Sequence, residues 1–420
     1  MRQENSQSPP RSLGELIARR RRQVMEDNIR CTSSTPSVDH CHGKQIFKRR
    51  KLWFQCLDLP EDMLCEILLE LPLKEVIRTS VLSSKWRYVR TINPKLRFDG
   101  MTMCSHRSLH GSKQCTQEFI QNVNAALNQQ NGMFVQDFEV KFGLHSELVI
   151  HLDNWVRFVT ASQTKNLAFD LVPAEFCGRS DRYLFPFEIL DYGSTLRLQR
   201  IQLGFVHIEL PSQFSGFPNL RKLDLHLWLS IVRPVPSGCL EDTLTILLTV
   251  LSRVKHLNLQ VKATLQMPTM LENASKFSHL KYLVLELSVS YKDSVNILSL
   301  ASYLRAAPLV EKFEVHFNVF KDPRLGWEPL RSLPQYPHIY LKDLYITGFV
   351  ACKGQLEFLL HTVDNAPGLE VLTLDPAPKF DKNVGWECAG QTDLFSQHAR
   401  EIIRQHLSGR ISPTAKLCIL

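Results

Sequence analysis

The chain has 420 residues, of which 44 % are hydrophobic and 22 % charged, with a net charge of +8; it is too long for one ordinary core and globular over most of its length. The charge is uneven. Residues 1–57 hold twelve Lys/Arg against five Asp/Glu and residues 58–420 hold 38 against 37, which excludes a nucleic-acid footprint spread over the whole surface. The longest apolar run, around residues 244–251, is far short of a membrane span, and no apolar stretch follows the amino-terminal charges as a secretory signal requires. Eleven cysteines are scattered without any CxxC pair, a pattern expected of reduced, buried thiols in a nuclear or cytosolic protein. Cys41 between His40 and His42 has no second ligand pair at a suitable distance, so no metal site is expected.

Residues 1–44 are rich in Ser, Gln, Pro, Arg and Asn and poor in large apolar side chains, the composition of a disordered tail. The basic runs Arg19-Arg20-Arg21-Arg22 and Lys48-Arg49-Arg50-Lys51 are candidate nuclear-addressing signals; their plainer reading is a solvated linker. The segment that follows is dense in helix signals. Leu59-Pro60-Glu61-Asp62 places proline and two acids at a helix start, where a missing amide is harmless and the dipole is positive. Leu64, Ile67, Leu68 and Leu71 recur at i, i+3, i+4 and i+7 on one face. Pro72 ends that helix and opens another, and Ser83 or Ser84 can cap a third carrying Trp86. So short a segment has more apolar surface than it can bury alone, so part of it should belong to a partner.

Those parts, 59–67, 71–83 and Trp86-Arg87-Tyr88-Val89, closely resemble the F-box of land-plant F-box/leucine-rich-repeat proteins. Arg90 stands where many relatives carry a second tryptophan, and a long extension precedes the motif. The resemblance implies a three-helix F-box that docks a Skp1-like adaptor and, through it, a cullin scaffold. It implies that Leu59, Pro60, Leu64, Ile67, Leu68, Leu71, Pro72, Val81, Leu82 and Trp86 form that contact or support it.

Beyond this head the chain repeats itself. Apolar pairs one residue apart recur as Phe138/Val140, Leu167/Phe169, Ile201/Leu203, Leu223/Leu225, Leu257/Leu259, Leu283/Leu285, Phe313/Val315, Leu344/Ile346 and Leu372/Leu374, spaced 29, 34, 22, 34, 26, 30, 31 and 28 residues apart. Period-two strands at such intervals, with helix-like stretches at 241–252, 294–307 and 355–365, are the mark of irregular leucine-rich repeats. The stretch 341–370 resembles the FBD-type segment of the same plant proteins. A last amphipathic helix (398–407) and strand (416–420) should cap the array. The expected fold is an α/β repeat: a basic tail (1–57), an F-box (58–98), an irregular leucine-rich-repeat solenoid (99–335) and an FBD-like terminal cap (336–420).

There is no GxSxG, P-loop, GxGxxG, HExxH or EF-hand, so neither an enzyme nor a cofactor is expected. If the paired leucines face the core, their neighbours Asp224, His226, Trp228, Asn258, Gln260, Glu286, Glu314, His316 and Tyr345 line the opposite, concave face. That face is the expected target-binding surface, with Trp228 as a candidate hot spot and Asp224 and His226 more plainly read as solvated strand residues. No cluster of basic residues stands out among these positions. The resemblance thus implies a non-catalytic substrate-recognition subunit of an SCF-type ubiquitin ligase, in the nucleus and/or cytoplasm. The alternative is a nuclear repeat scaffold organising nucleic-acid-associated factors outside any ligase.

Overall fold

The structure, a computed structural model, describes Met63 and residues 94–104, 112–130, 135–144, 146–172, 182–211, 213–228, 253–262, 277–290, 297–320, 329–379, 392–412 and 414–420. The tail with both basic runs, the proposed adaptor-contact residues and the expected 241–252 helix lie outside the described residues. The chain divides into two units at Pro94/Lys95. Of the first, Met63 is helical and half exposed.

The second unit is built on a sheet of eleven strands. In order these are β1 (Lys95–Asp99), β2 (Asp137–Lys141), β3 (Asn166–Asp170), β5 (Arg200–Gly204), β7 (Lys222–Trp228), β8 (His256–Lys262), β9 (Tyr282–Ser290), β10 (Lys312–Phe320), β11 (Asp343–Thr347), β12 (Val371–Asp375) and β13 (Lys416–Ile419). Two short strands, β4 (Tyr183–Leu184) and β6 (Val206–His207), pair separately. Every neighbour in the large sheet is parallel and follows in chain order, and the registers agree from end to end. The nine apolar pairs read from the sequence therefore stack as two continuous rows. From β1 to β12 every member of both rows is no more than 3 % exposed, whereas Leu417 on the edge strand β13 is 39 % exposed. Full burial of one such side chain contributes roughly 1.5–3 kcal/mol, but only while a neighbour covers it.

The sheet starts earlier than the sequence reading placed it. Residues 95–98, assigned there to the helical head, open the sheet as β1: Leu96 and Phe98 are fully buried and continue the two rows. No break occurs at residue 335 either, since β10 pairs directly with β11 across it.

Helices pack on the apolar face. α1 (Gly100–Met103) follows β1, with Asp99 closing a capping box with Thr102. α2 (Lys113–Asn128) starts at Ser112, whose hydroxyl accepts from the Cys115 amide. It buries Phe119, Ile120 and Val123. α3 (Val149–Ala161) buries Leu152, Trp155, Val156 and Val159, and Trp155 Nε1 donates to Asn124 Oδ1 at 2.8 Å, joining the two helices. Phe158 of α3 meets Phe138 of β2 with ring centroids 5.9 Å apart. α4 (Tyr192–Arg197) precedes β5, and the short α5 (Ala301–Ala306) precedes β10. α6 (Lys353–Asp364) lies behind β10, with Phe358 against Phe313 at 6.1 Å. α7 (Thr392–Leu407) precedes β13 and is tied to it by Arg400, whose guanidinium donates to the Leu420 carbonyl. Among the described residues, Cys104, Cys115 and Cys352 are buried and form no disulfide.

Four features hold the β11–α6 region. Gly348, directly after β11, has φ +64°, and a Cβ there would lie 2.0 Å from the Phe317 carbonyl oxygen of β10. Gln355, fully buried on α6, accepts from the Val350 amide and donates to the Gly348 carbonyl, both at 2.9 Å, so the helix clamps the turn that feeds it. Glu357, also buried on α6, is held by Arg331: the guanidinium bridges both carboxylate oxygens at 2.6–3.2 Å, and the Arg331 amide adds a bond at 2.8 Å. The connection from Arg331 to Leu341 is fastened again where the Tyr336 amide donates to Asn365 Oδ1 and the His338 amide to the Asn365 carbonyl.

Candidate interaction surface

Side chains alternate along a strand, so every residue two away from a core leucine shares the other face. Three polar rows result. The middle row includes Gln202, Asp224, Asn258, Val284, Glu314 and Tyr345 in consecutive strands. The row nearer the strand ends includes His226, Gln260, Glu286, His316 and Thr347. The row at the strand starts reads Arg200, Lys222, His256, Tyr282 and Lys312. Eight of the nine sequence-predicted positions thus share one face. Trp228 takes its place in β7 opposite Lys262.

The reading of Asp224 as a solvated strand residue fails, and Glu314 and His316 on the same face are closed off from water too. Asp224 is 4 % exposed, Glu314 7 % and His316 is fully buried; His226, Glu286 and Tyr345 are half-buried. The cause is pairing between strands. Asp224 Oδ2 lies 3.3 Å from the Arg200 guanidinium and 3.5 Å from Lys222 Nζ. Glu314 takes Lys312 at 3.1 Å and Lys379 at 3.8 Å, and the Tyr282 hydroxyl donates to it. His316 Nε2 lies 2.9 Å from Lys379 Nζ and 3.4 Å from Glu314 Oε2, and its Nδ1 lies 2.9 Å from Thr347 Oγ1. The Tyr345 ring stands edge-on to His316 at 5.7 Å. The long cations lie over the short acids and close them off from water.

The starting row is what the sequence reading missed. It contains Arg200, Lys222 and Lys312, whose side chains are 46, 44 and 42 % exposed, with exposed His256 between them. A basic cluster therefore does occupy strand positions. The signal was present one residue ahead of each leucine pair, as in Lys222-Leu-Asp-Leu, His256-Leu-Asn-Leu and Lys312-Phe-Glu-Val. Tyr282 joins the set: its ring is 5.6 Å from that of His256 and 5.4 Å from Lys312 Nζ. Two buried acceptors on this face, Asp224 Oδ1 and Asn258 Oδ1, have no hydrogen-bond donor.

These networks set an acid response. Burial alone would raise the Glu314 carboxyl; hydrogen bonds from His316, Tyr282 and Lys312, with the charge of Lys312, outweigh it and hold the group at about 2 against an ordinary 4.5. Its stabilisation is complete above about pH 4.5 and is lost as pH falls through about 2. His338 is pushed down to about 4 from 6.5 by burial, then by His361. An unfolded chain takes that proton first, so its contribution is complete above about 6.5 and is lost as pH falls to about 4. Acid unfolding followed by circular dichroism should show both windows. His338→Phe should flatten the upper one and Glu314→Gln the lower, the latter worth about 2 kcal/mol once partial solvent screening is allowed for.

Among the described residues no helix is long and apolar enough to cross a membrane, and no group of three His, Cys, Asp or Glu could hold a metal ion. The chain matches the F-box domain over residues 56–96 and the At1g61320/AtMIF1 LRR domain over residues 230–420. It is 27 % identical over 337 residues to the F-box/FBD/LRR-repeat protein At1g13570 of Arabidopsis thaliana, covering 76 % of each chain. This places the chain with the F-box/LRR-repeat proteins. Another such protein, F-box/FBD/LRR-repeat protein At3g52680 of Arabidopsis thaliana, is 25 % identical over 350 residues, 78 % of this chain and 72 % of the relative. The FBD-associated F-box protein At1g66310 of the same plant is 30 % identical over 115 residues, 26 % of this chain and 24 % of its own length. The LRR match takes in β8 to β13 of the parallel sheet.

Proposed function

We propose that this F-box/LRR-repeat chain is the substrate-recognition subunit of an SCF-type ubiquitin ligase. Residues 59–89 fold as three short helices and dock a Skp1-like adaptor, and through it a cullin scaffold. The repeats wind as a solenoid whose polar face takes the target, and the basic runs address the protein to the nucleus. The chain makes and breaks no bonds itself. Its chemistry is positional: by holding a target on a stiff array, it raises the effective concentration of the target's lysines near a ubiquitin carried by another subunit.

The observation that carries this reading is the F-box match at residues 56–96 in the same chain as an eleven-stranded parallel repeat sheet. Leu59→Ala with Pro60→Ala should abolish co-purification of a Skp1-like protein while leaving the circular dichroism of the repeats unchanged. Adaptor binding at undiminished strength by the double variant would count decisively against the assignment. Removing residues 1–57 should leave adaptor binding intact; steep, salt-sensitive nucleic-acid binding lost on that deletion would favour a nuclear scaffold instead.

A further inference from the structure

We propose that the starting edge of strands β5, β7, β8 and β9 docks an extended, acidic peptide segment of the target protein. This deepens the proposed function by naming the chemistry of the target, and it rests on the repeats being the target-binding part.

The charge at this edge is concentrated and one-signed. Arg200, Arg221, Lys255 and Lys281 are exposed and Lys222 is half-buried. The backbone stacks them strand upon strand: the Arg221 amide donates to the Gln199 carbonyl, that of Lys255 to Arg221, and that of Lys281 to Lys255. Over the same four strand starts the acid among the described residues is Asp224, which is buried and shared by Arg200 and Lys222. The next carboxylate, Glu311, enters with β10 and pairs with Lys281 at 2.5 Å. From there the balance changes, with Lys312, Lys342, Asp343 and Glu370 pairing among themselves and with Glu314.

His256 lies in the middle of the edge and reports its field. Its basicity is lowered by burial and by the charges of Lys222 and Lys255, which Asp224 offsets only in part. The dimensions suit an extended chain crossing the strands. Adjacent strands are about 4.8 Å apart, so the edge from β5 to β9 spans about 14 Å, or about four extended residues. Such a chain brings what the face lacks: carboxylates for the half-exposed cations. A nucleic-acid strand brings anions but fits less well. Tyr282 is the one tyrosine or tryptophan of the starting row from β5 to β10 available for base stacking.

The test uses the full chain and a fluorescein-labelled octapeptide of alternating Glu and Ser, read by fluorescence anisotropy. Binding should weaken with added salt. Arg221→Glu with Lys255→Glu should weaken it by about ten-fold or more, and the milder Arg221→Gln with Lys255→Gln should weaken it less. Reversing the charges of Arg19 to Arg22 should leave it unchanged, as should the Leu59/Pro60 double variant that removes adaptor binding. Failure of the ligase reading therefore shows in the adaptor arm alone, and failure of this one in the peptide arm alone. The proposal is overturned if the peptide does not bind, if binding follows the tail charges and ignores Arg221 and Lys255, or if an oligodeoxynucleotide of equal length binds more tightly with the same sensitivity to those two residues.

Discussion

A Gly348→Ala chain is expected to lose the packing of β10, β11 and α6, at a cost of at least about 3 kcal/mol. The backbone at this position is left-handed, which costs any residue with a Cβ about 1–2 kcal/mol before contacts are considered. Here the added methyl would also lie 2.0 Å from the Phe317 carbonyl oxygen. That oxygen belongs to the backbone of the neighbouring strand and cannot swing aside as a side-chain tip could. Relief requires β10 and β11 to move apart, and that move breaks the bonds Gln355 makes to Gly348 and Val350. Hydrogen exchange should show lost protection across β10–β12 with β1–β3 little affected. Unchanged protection at β11 would show that the turn can re-form without glycine.

The second large effect is expected at Arg331. Glu357 sits on a fully buried face of α6, and Arg331 bridges both its oxygens. Removing one partner of a fully buried pair typically costs about 3–5 kcal/mol; here the carboxylate is fully buried and the Arg331 side chain is 43 % exposed. Arg331→Ala should fall at the low end of that range, because the residue's own amide still donates to Glu357 Oε1. Arg331→Met combined with Glu357→Leu should recover most of the loss, since two apolar side chains need no solvation. Urea unfolding of Arg331→Met, Glu357→Leu and the double closes the cycle. If the double is as unstable as the singles, the pair is there for shape and not for charge.

The sheet was legible because its signal is local. A leucine pair such as Leu257/Leu259 declares period two within three residues, and chain-order stacking follows from the near-regular spacing. β1 was overlooked for a local reason too: Leu96 and Phe98 follow directly on the helical head and were read as its end. α2 and α3 carry a quieter signal: Phe119, Ile120 and Val123, and Leu152, Trp155 and Val156, have helical spacing in place of the strands' alternation. The state of the polar face was not legible. Asp224 is buried because Arg200, 24 residues earlier, and Lys222 both reach its carboxylate. His316 is buried between Thr347 and Lys379, 31 and 63 residues later. Pairings at that distance depend on register, which no short window of sequence contains.

The chain-order topology has a bearing on how the protein is made. From β1 to β13, each strand of the large sheet pairs with the one before it in the chain and the one after it, with β4 and β6 set aside in their own pair. A polypeptide leaving the ribosome can therefore lay down each new strand on an edge that is already complete, without waiting for distant sequence to arrive. Closing each new loop involves a few tens of residues and not the whole molecule, which keeps the entropic cost of each addition small and nearly constant.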